Sequence, residues 1–300
     1  MLPDVQRSTP VVPLDIDKVC VKGVYRRVCL GGSGNSYCLD VKVDACIDLP
    51  KTQRGVHVSR SIEAVIKSFE ESASGDVNRL EDYLKILAKN LLKSHEYALK
   101  ASTSLKTVYL HRVRDDFVGV EDHIPVKIRI MVEVDRNGHQ LNSISVEIKG
   151  MTVCPCVQQV YAFLENLQAP HVPSHSQRAK LIATVVSRGE KTIDIRRLVE
   201  AGLNAFSAPL YFMLKRVNEY RLVKKAFSTP RFVEDVVREA MYNIYKLCRD
   251  GLDKDARIVV KVVSYESIHP YNLYAEAGYT IEELRKIFEE SNQKNSSLNL

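Results

Sequence analysis

Two thiols stand one residue apart in Met151-Thr152-Val153-Cys154-Pro155-Cys156. The proline between them removes a backbone donor and stiffens the link. A zinc knuckle separates its cysteines by about two to four residues, so this triplet cannot close a metal site by itself. It suits one thiolate ligand with partners remote in sequence, or equally a pair of buried apolar cysteines. Histidines are the natural partners. His175 lies in the polar stretch Ser174-His175-Ser176-Gln177-Arg178, where it reads as a ligand or as a plain surface residue. His269 ends Glu266-Ser267-Ile268-His269, three residues after a carboxylate. A carboxylate that accepts one ring N–H holds an imidazole in one tautomer, for ligation or for proton transfer. A surface Glu and His at a strand end is an equally good reading.

Glu234 falls in the first turn of the helical run Arg231-Phe232-Val233-Glu234-Asp235-Val236-Val237. A carboxylate there usually compensates the helix dipole. Held against apolar walls, it would instead accept the N1–H and 2-amino protons of a guanine edge. Glu219, after Leu214-Lys215-Arg216, has no pattern of its own. Gly31-Gly32-Ser33-Gly34 lacks the lysine of a phosphate loop and reads as a turn. Arg54-Gly55-Val56-His57-Val58-Ser59-Arg60 precedes a helix and offers arginines and free N–H groups to a phosphate, or is a solvated helix entry.

The elements that position these residues show in the periodicity. Residues 37–49 alternate in part and predict a strand. Ser59 predicts a helix N-cap, with Ile62, Val65, Ile66 and Phe69 on one face. A polar break at Ser72–Asp76 precedes a second helix bearing Leu80, Leu84, Leu87 and Leu91. Val126 to Val134 alternate strictly, Asn137-Gly138 turns, and Ile144, Val146 and Ile148 return: a hairpin. A loop around Gln168–Pro173, a strand over Leu181–Val186 and helices from about Ile195 follow. Thr229-Pro230 predicts the opening of a helix that buries Val233, Val236, Val237, Ala240, Met241 and Ile244. A last strand, Ile258–Val263, delivers the Glu266–His269 segment, and the Ser- and Asn-rich last dozen residues are expected to fray. Cys154 is expected where a sheet ends and a loop begins. Two α+β modules result.

Bulk properties narrow the class. The 300 residues are 45% hydrophobic and 27% charged, the balance of a globular protein with a sizeable core. No apolar run approaches the roughly 18 residues of a membrane span, and no signal pattern opens the chain, so a cytoplasmic protein is expected. The net charge of +6 is spread thinly, favouring a small anionic ligand over a nucleic-acid surface. Seven cysteines at irregular spacing argue against a disulfide framework and for a thiol ligand or nucleophile.

Eight segments together resemble a known family. Leu2-Pro3-Asp4-Val5-Gln6, Arg54–Arg60, His95-Glu96-Tyr97-Ala98, Gly150–Cys156, His175–Arg178, Leu214-Lys215-Arg216, Phe232-Val233-Glu234-Asp235 and Glu266–His269 occur in the order seen in GTP cyclohydrolase IB, most like its archaeal branch. The likeness runs from residue 2 to about residue 276. It implies a tunnelling fold (T-fold): two tandem modules of antiparallel sheet plus helices, 1–152 and 153–300, the second carrying most metal- and base-binding residues. It implies a homodimer or homotetramer with active sites at the interfaces. It also implies a divalent metal, Fe(II) first, with Zn(II) or Mn(II) as alternatives. By motif, Cys154, His175 and Glu219 fall on metal positions, Glu234 on the guanine anchor, and Glu266 and His269 in the active-site segment.

The implied reaction opens the imidazole ring of GTP, expels C8 as formate and forms a 7,8-dihydroneopterin product, a 2′,3′-cyclic phosphate in the archaeal type. The metal activates water, Cys154 belongs to the catalytic set, and His269 with Glu266 moves protons. Arg54, Arg60, Arg178, Lys215 and Arg216 are candidates for the triphosphate. The chain departs from the family pattern at Ser176, at Val217-Asn218, and at Tyr271 and Asn272 after His269. A T-fold reductase of the queuosine-pathway type and a non-catalytic pterin-binding homologue are the alternative readings.

Overall fold

The computed structural model describes residues 3–30, 37–74, 79–169 and 172–297. The Gly31–Gly34 turn, Leu2, and Pro170-His171 of the 168–173 loop lie outside the described residues, as does part of the break at Ser72–Asp76. Among the described residues the chain forms β1 (Ile16–Leu30), β2 (Tyr37–Leu49), α1 (Val58–Ser74), α2 (Leu80–Ser94), β3 (Lys100–Asp115), β4 (Val120–Asp135) and β5 (Gln140–Val153). Then come α3 (Pro155–Leu164), β6 (Ser176–Arg188), α4 (Ile195–Leu203), β7 (Ala208–Pro209), α5 (Arg216–Ser228), α6 (Val233–Cys248), β8 (Arg257–Ser264), β9 (Leu273–Thr280) and α7 (Ile281–Ser297). Hydrogen-bonded strand neighbours follow the order β1-β2-β3-β4-β5-β6-β8-β9, and β7 pairs with β5 off that path. Pairing is antiparallel at β1–β2, β2–β3, β5–β7, β6–β8 and β8–β9. Helices and an antiparallel sheet make this the expected α+β class. No described helix is long and apolar enough to cross a membrane.

Two compact units interleave along the chain: Met1–Val108 with Ile128–Ser143 and Arg188–Glu190, and Tyr109–Lys127 with Ile144–Ser187 and Lys191–Leu300. In the first, Leu80, Leu84, Leu87 and Leu91 of α2 are all buried, as their spacing predicts. The buried face of α1 is rotated from the predicted one. Ser61, Ala64, Val65 and Ser68 are buried, whereas Ile66 is exposed. The two serines tolerate burial because each has a partner. Ser68 Oγ donates to the Ala64 carbonyl at 2.7 Å, and Ser61 Oγ meets His95 Nε2 at 3.0 Å.

The cysteines of this unit correct the sequence expectation. Cys20–Cys46 and Cys29–Cys38 are disulfides. Each joins residues directly opposite one another in the β1–β2 ladder, a relation that spacing along the chain does not reveal.

His95 explains one of the ordered motifs structurally. It is fully buried, with Ser61 on one ring nitrogen and the Tyr97 hydroxyl on the other at 3.0 Å. Beside it the Arg136 guanidinium donates to the carbonyls of Leu92, His95, Glu96 and Ala98, gathering the end of α2. Burial, with the charges of Arg60 and His57, lowers the His95 pKa from 6.5 to about 4. Between those values the unfolded chain binds the proton and the folded one does not. Stability is therefore full above about pH 6.5 and falls as the pH drops toward 4, by about 3 kcal/mol from this group. Urea midpoints measured across that window should decline, and His95→Gln should remove this part of the slope; an unaltered slope contradicts the assignment.

In the second unit α6 buries Val233, Val236, Val237, Ala240, Met241 and Ile244, as predicted. Its start lies later than Thr229-Pro230: Thr229 closes α5, and the Asp235 carboxylate caps the new helix by accepting the Phe232 N–H at 3.0 Å. β9 follows β8, so Ile258–Val263 belongs to the penultimate strand. α7 continues to Ser297, where composition predicts fraying. Gly150 has a packing reason. A Cβ there would lie 2.2 Å from the Phe206 ring.

Candidate active site in the second unit

β5 ends at Val153, and Pro155 starts α3, so Cys154 occupies the N-cap position of a helix rather than a loop. Proline at the first helical position fits because its missing N–H would be unpaired there in any case. Three ties fix the segment. The Val153 carbonyl accepts the Arg231 N–H at 3.0 Å, the Cys154 N–H donates to the His175 carbonyl at 3.0 Å, and the Cys154 carbonyl accepts from Ser174 Oγ at 2.6 Å. Cys154 is half-buried and Cys156 exposed, so neither is a buried apolar cysteine. Cys248 is that kind: burial pushes its thiol up to about 12, which leaves it inert.

His175 stands beside this turn. Its Nδ1 lies 2.9 Å from Gln177 Oε1 and 3.4 Å from Ser267 Oγ. With the Gln177 carbonyl oxygen as acceptor, the Nδ1–H tautomer satisfies this contact and leaves the Nε2 lone pair for a ligand. Replacing Gln177 with alanine should free the ring and cost about 10- to 100-fold in metal affinity. A metal titration monitored by competition with a chelator measures this, and an unchanged affinity speaks against the orienting role.

β8 pairs with β6 through Ser264 opposite Ala179, and the Tyr265 N–H donates to the Arg178 carbonyl at 2.9 Å. This brings the Glu266–His269 segment to the start of β6, where Ser267 reaches His175. Glu266 accepts from Ser264 Oγ at 2.7 Å, and His269 stacks on Tyr271 with ring centroids 5.0 Å apart. The sequence pairs Glu266 with His269; in the structure each has a different neighbour. Arg178 is exposed on β6, and Glu234 is exposed in the first turn of α6 rather than walled by apolar side chains. The Arg231–Val153 bond nonetheless roots the entry to α6 at the base of the Cys154 turn.

Glu219, Lys215 and Arg216 lie apart from this pair of donors, at the start of α5. Gln158 Nε2 of α3 donates to the Phe227 carbonyl at the other end of α5. Glu219 lies eight residues before Phe227, about 12 Å along the axis. Among the described residues no three His, Cys, Asp or Glu side chains of the chain gather as a metal would require. Cys154 and His175 offer a thiol and an imidazole, donor types that suit a divalent metal, on segments joined by a backbone hydrogen bond. Asn218, a departure from the family pattern, has a local function. Its Oδ1 accepts the Lys215 N–H at 3.3 Å, and its Nδ2 donates to the Val118 carbonyl at 2.8 Å.

Arg54 and Arg60 are exposed in the first unit, where two of the motifs meet. Gly55 N–H donates to the Gln6 carbonyl at 3.1 Å, Arg54 N–H to the Ser8 carbonyl at 2.9 Å, and His57 Nε2 lies 3.1 Å from the Asp4 carboxylate.

Ser174, Gln177 and Ser267 are site residues that the sequence reading missed. Gln177 carried a signal, since in extended chain the residue two positions after His175 lies on the same side. Ser267 carried none, because it meets His175 only through the β6–β8 register.

The model of the family described as type I GTP cyclohydrolase folE2 matches residues 2–275. The chain belongs to that family. GTP cyclohydrolase MptA of Aeropyrum pernix is 38% identical over 285 residues, covering 95% of this chain and 98% of the relative. GTP cyclohydrolase MptA of Methanoculleus marisnigri is 31% identical over 303 residues, covering 94% and 96%. The eight motifs are therefore those of a GTP cyclohydrolase of the folE2 family. Uricase from Arthrobacter globiformis has the same fold, with a TM-score of 0.52 at 10% identity over 91% of this chain and 96% of its own. A hyper-thermostable uricase mutant gives 0.53 at 9% identity, over 88% and 91%. The architecture is a T-fold.

Proposed function

We propose that this folE2-family cyclohydrolase acts on GTP with a divalent metal, Fe(II) in first place and Zn(II) or Mn(II) otherwise, releasing formate and a 7,8-dihydroneopterin 2′,3′-cyclic phosphate. The step would open pterin biosynthesis of the tetrahydromethanopterin type, in the cytoplasm. One observation carries the reading. The Cys154 turn and a His175 with its Nε2 free are joined by a backbone hydrogen bond in a chain whose residues 2–275 match the family. Two tandem modules, 1–152 and 153–300, and a homodimer or homotetramer with interfacial sites complete it. Glu219 is then the third donor, brought to the Cys154–His175 pair as subunits assemble.

When bound, the metal supplies a Lewis acid that activates water for attack at C8 of the guanine ring. The chain does the rest. Cys154 and His175 would hold the metal, with Gln177 keeping the imidazole turned. Glu234 accepts from the guanine edge and fixes which atom of the base faces the metal, which is positioning. His269 exchanges protons with the ring nitrogens, its ring plane set by Tyr271. Arg178, Lys215 and Arg216 are the second unit's candidates for the triphosphate, and Arg54 and Arg60 the first unit's.

Glu234→Ala should leave metal content intact and weaken GTP binding by about 10-fold or more, the loss of a charged hydrogen-bonding partner. Equilibrium binding on the metal-loaded protein measures it, and unchanged affinity removes the anchor. Mass spectrometry of the product tests the cyclic phosphate. A retained triphosphate overturns that part.

A further inference from the structure

The turn between β3 and β4 grips one face of α5, and both lie within the second unit. Asn218, Arg221, Leu222 and Lys225 recur at helical spacing and so share that face. Asn218 Nδ2 donates to the Val118 carbonyl at 2.8 Å and to the Gly119 carbonyl at 3.3 Å. Gly119 has a φ of +74°, and a Cβ there would lie 3.1 Å from Arg221 Nη1, so the helix sits hard against the turn. Leu222 and Ala226 pack in one buried cluster with Val118 and with Val153, the residue before Cys154. Two helical turns beyond Asn218, Lys225 Nζ donates to the Asp115 carboxylate.

Asp115 is the centre of this grip. It is 8% exposed, and it also accepts from the Val118 N–H at 3.0 Å and the Tyr211 hydroxyl at 2.9 Å. Burial alone would raise its pKa, but Lys225 and the other two donors hold it below the usual carboxylate range, so the group is an anion. A Lys225 that swung away would leave that buried charge uncompensated, which ties the two together more firmly than a surface pair. Glu219 follows Asn218, turned about 100° from it around the helix axis, and is exposed.

We infer that Asp115 is a positioning residue for the metal site. Through Lys225 at one end of the face, with Asn218 at the other, it sets the rotation of α5 about its own axis. That rotation decides the direction in which Glu219 is presented. Apolar packing is non-directional, so the Val118–Leu222 cluster keeps the helix near without fixing its angle. Hydrogen bonds two turns apart do fix it, because each has a preferred direction. The inference rests on Glu219 as a metal donor.

Competition titration of the full-length protein with Zn(II) against a chelator, run well below the melting temperature, tests this. Lys225→Met should weaken Zn(II) affinity about tenfold, the scale of loss when a support behind a ligand is removed. Lys225→Arg, which keeps the charge at a partly exposed position, should retain most of the affinity, and Asp115→Asn should resemble Lys225→Met. A merely structural role would lower the melting temperature and leave the affinity of the folded protein unchanged, and that result overturns the inference. In a Glu219→Ala background Lys225→Met should add no further loss, since both act through one group; a full additional loss overturns it as well. Glu219→Ala by itself separates the two failures. Undiminished affinity there refutes the reading of Glu219 as a ligand and takes the inference with it. Loss in Glu219→Ala with none in Lys225→Met refutes the positioning role and spares the reading.

Discussion

Cys154→Ala is expected to lose bound metal and at least about a thousandfold of turnover together, some 4 kcal/mol of transition-state stabilisation. The expectation rests on position. Cys154 is half-buried, held at the N-cap of α3, and bonded through its backbone to His175. Cys156 is exposed in the first turn of α3, so Cys156→Ala should stay within about tenfold of the wild type, because a surface thiol that touches no ligand contributes little. Metal content by elemental analysis and formate release by a coupled assay, run on both variants, decide between the two sulfurs. Full metal in Cys154→Ala with loss in Cys156→Ala would move the ligand two residues along.

Reduction of the two disulfides should give the largest change in stability. Cys20–Cys46 and Cys29–Cys38 span 26 and 9 residues. Loop closure in the unfolded chain makes such bonds worth roughly 3 kcal/mol each, and less in sum because the shorter loop is nested in the longer. The denaturation midpoint should fall clearly on adding a thiol reductant, and Cys20→Ser should reproduce part of the fall. An unchanged midpoint, with thiol titration showing all seven cysteines reduced, contradicts the stapling. Such bonds persist in oxidising compartments and also inside the cells of hyperthermophiles, so they do not conflict with cytoplasmic chemistry in an organism of that kind.

Legibility followed physical cause. The leucines of α2, the valines of α6 and the hairpin at Asn137-Gly138 announced themselves, because a buried face repeats at the period of its element. β3 did not. Its buried positions include Ser102, Thr103, Ser104 and Thr107, which break the hydrophobic alternation and survive burial through partners such as the Leu84 carbonyl for Thr103 and the Asp40 carbonyl for Thr107. The disulfides were hidden for a related reason, since they depend on strand register. Within the candidate site the Cys154 and His175 motifs were readable by residue type. That Cys154 and His175 are hydrogen-bonded neighbours, and that Gln177 turns the ring, needed the fold.

The most direct measurement is formate release from GTP by the full-length protein, loaded with Fe(II) under anaerobic conditions and followed alongside the fluorescence of the oxidised pterin. Ring opening at the Cys154–His175 centre gives one formate for each GTP consumed, abolished in Cys154→Ala. GTP left intact, or formate production undiminished in Cys154→Ala, would contradict it.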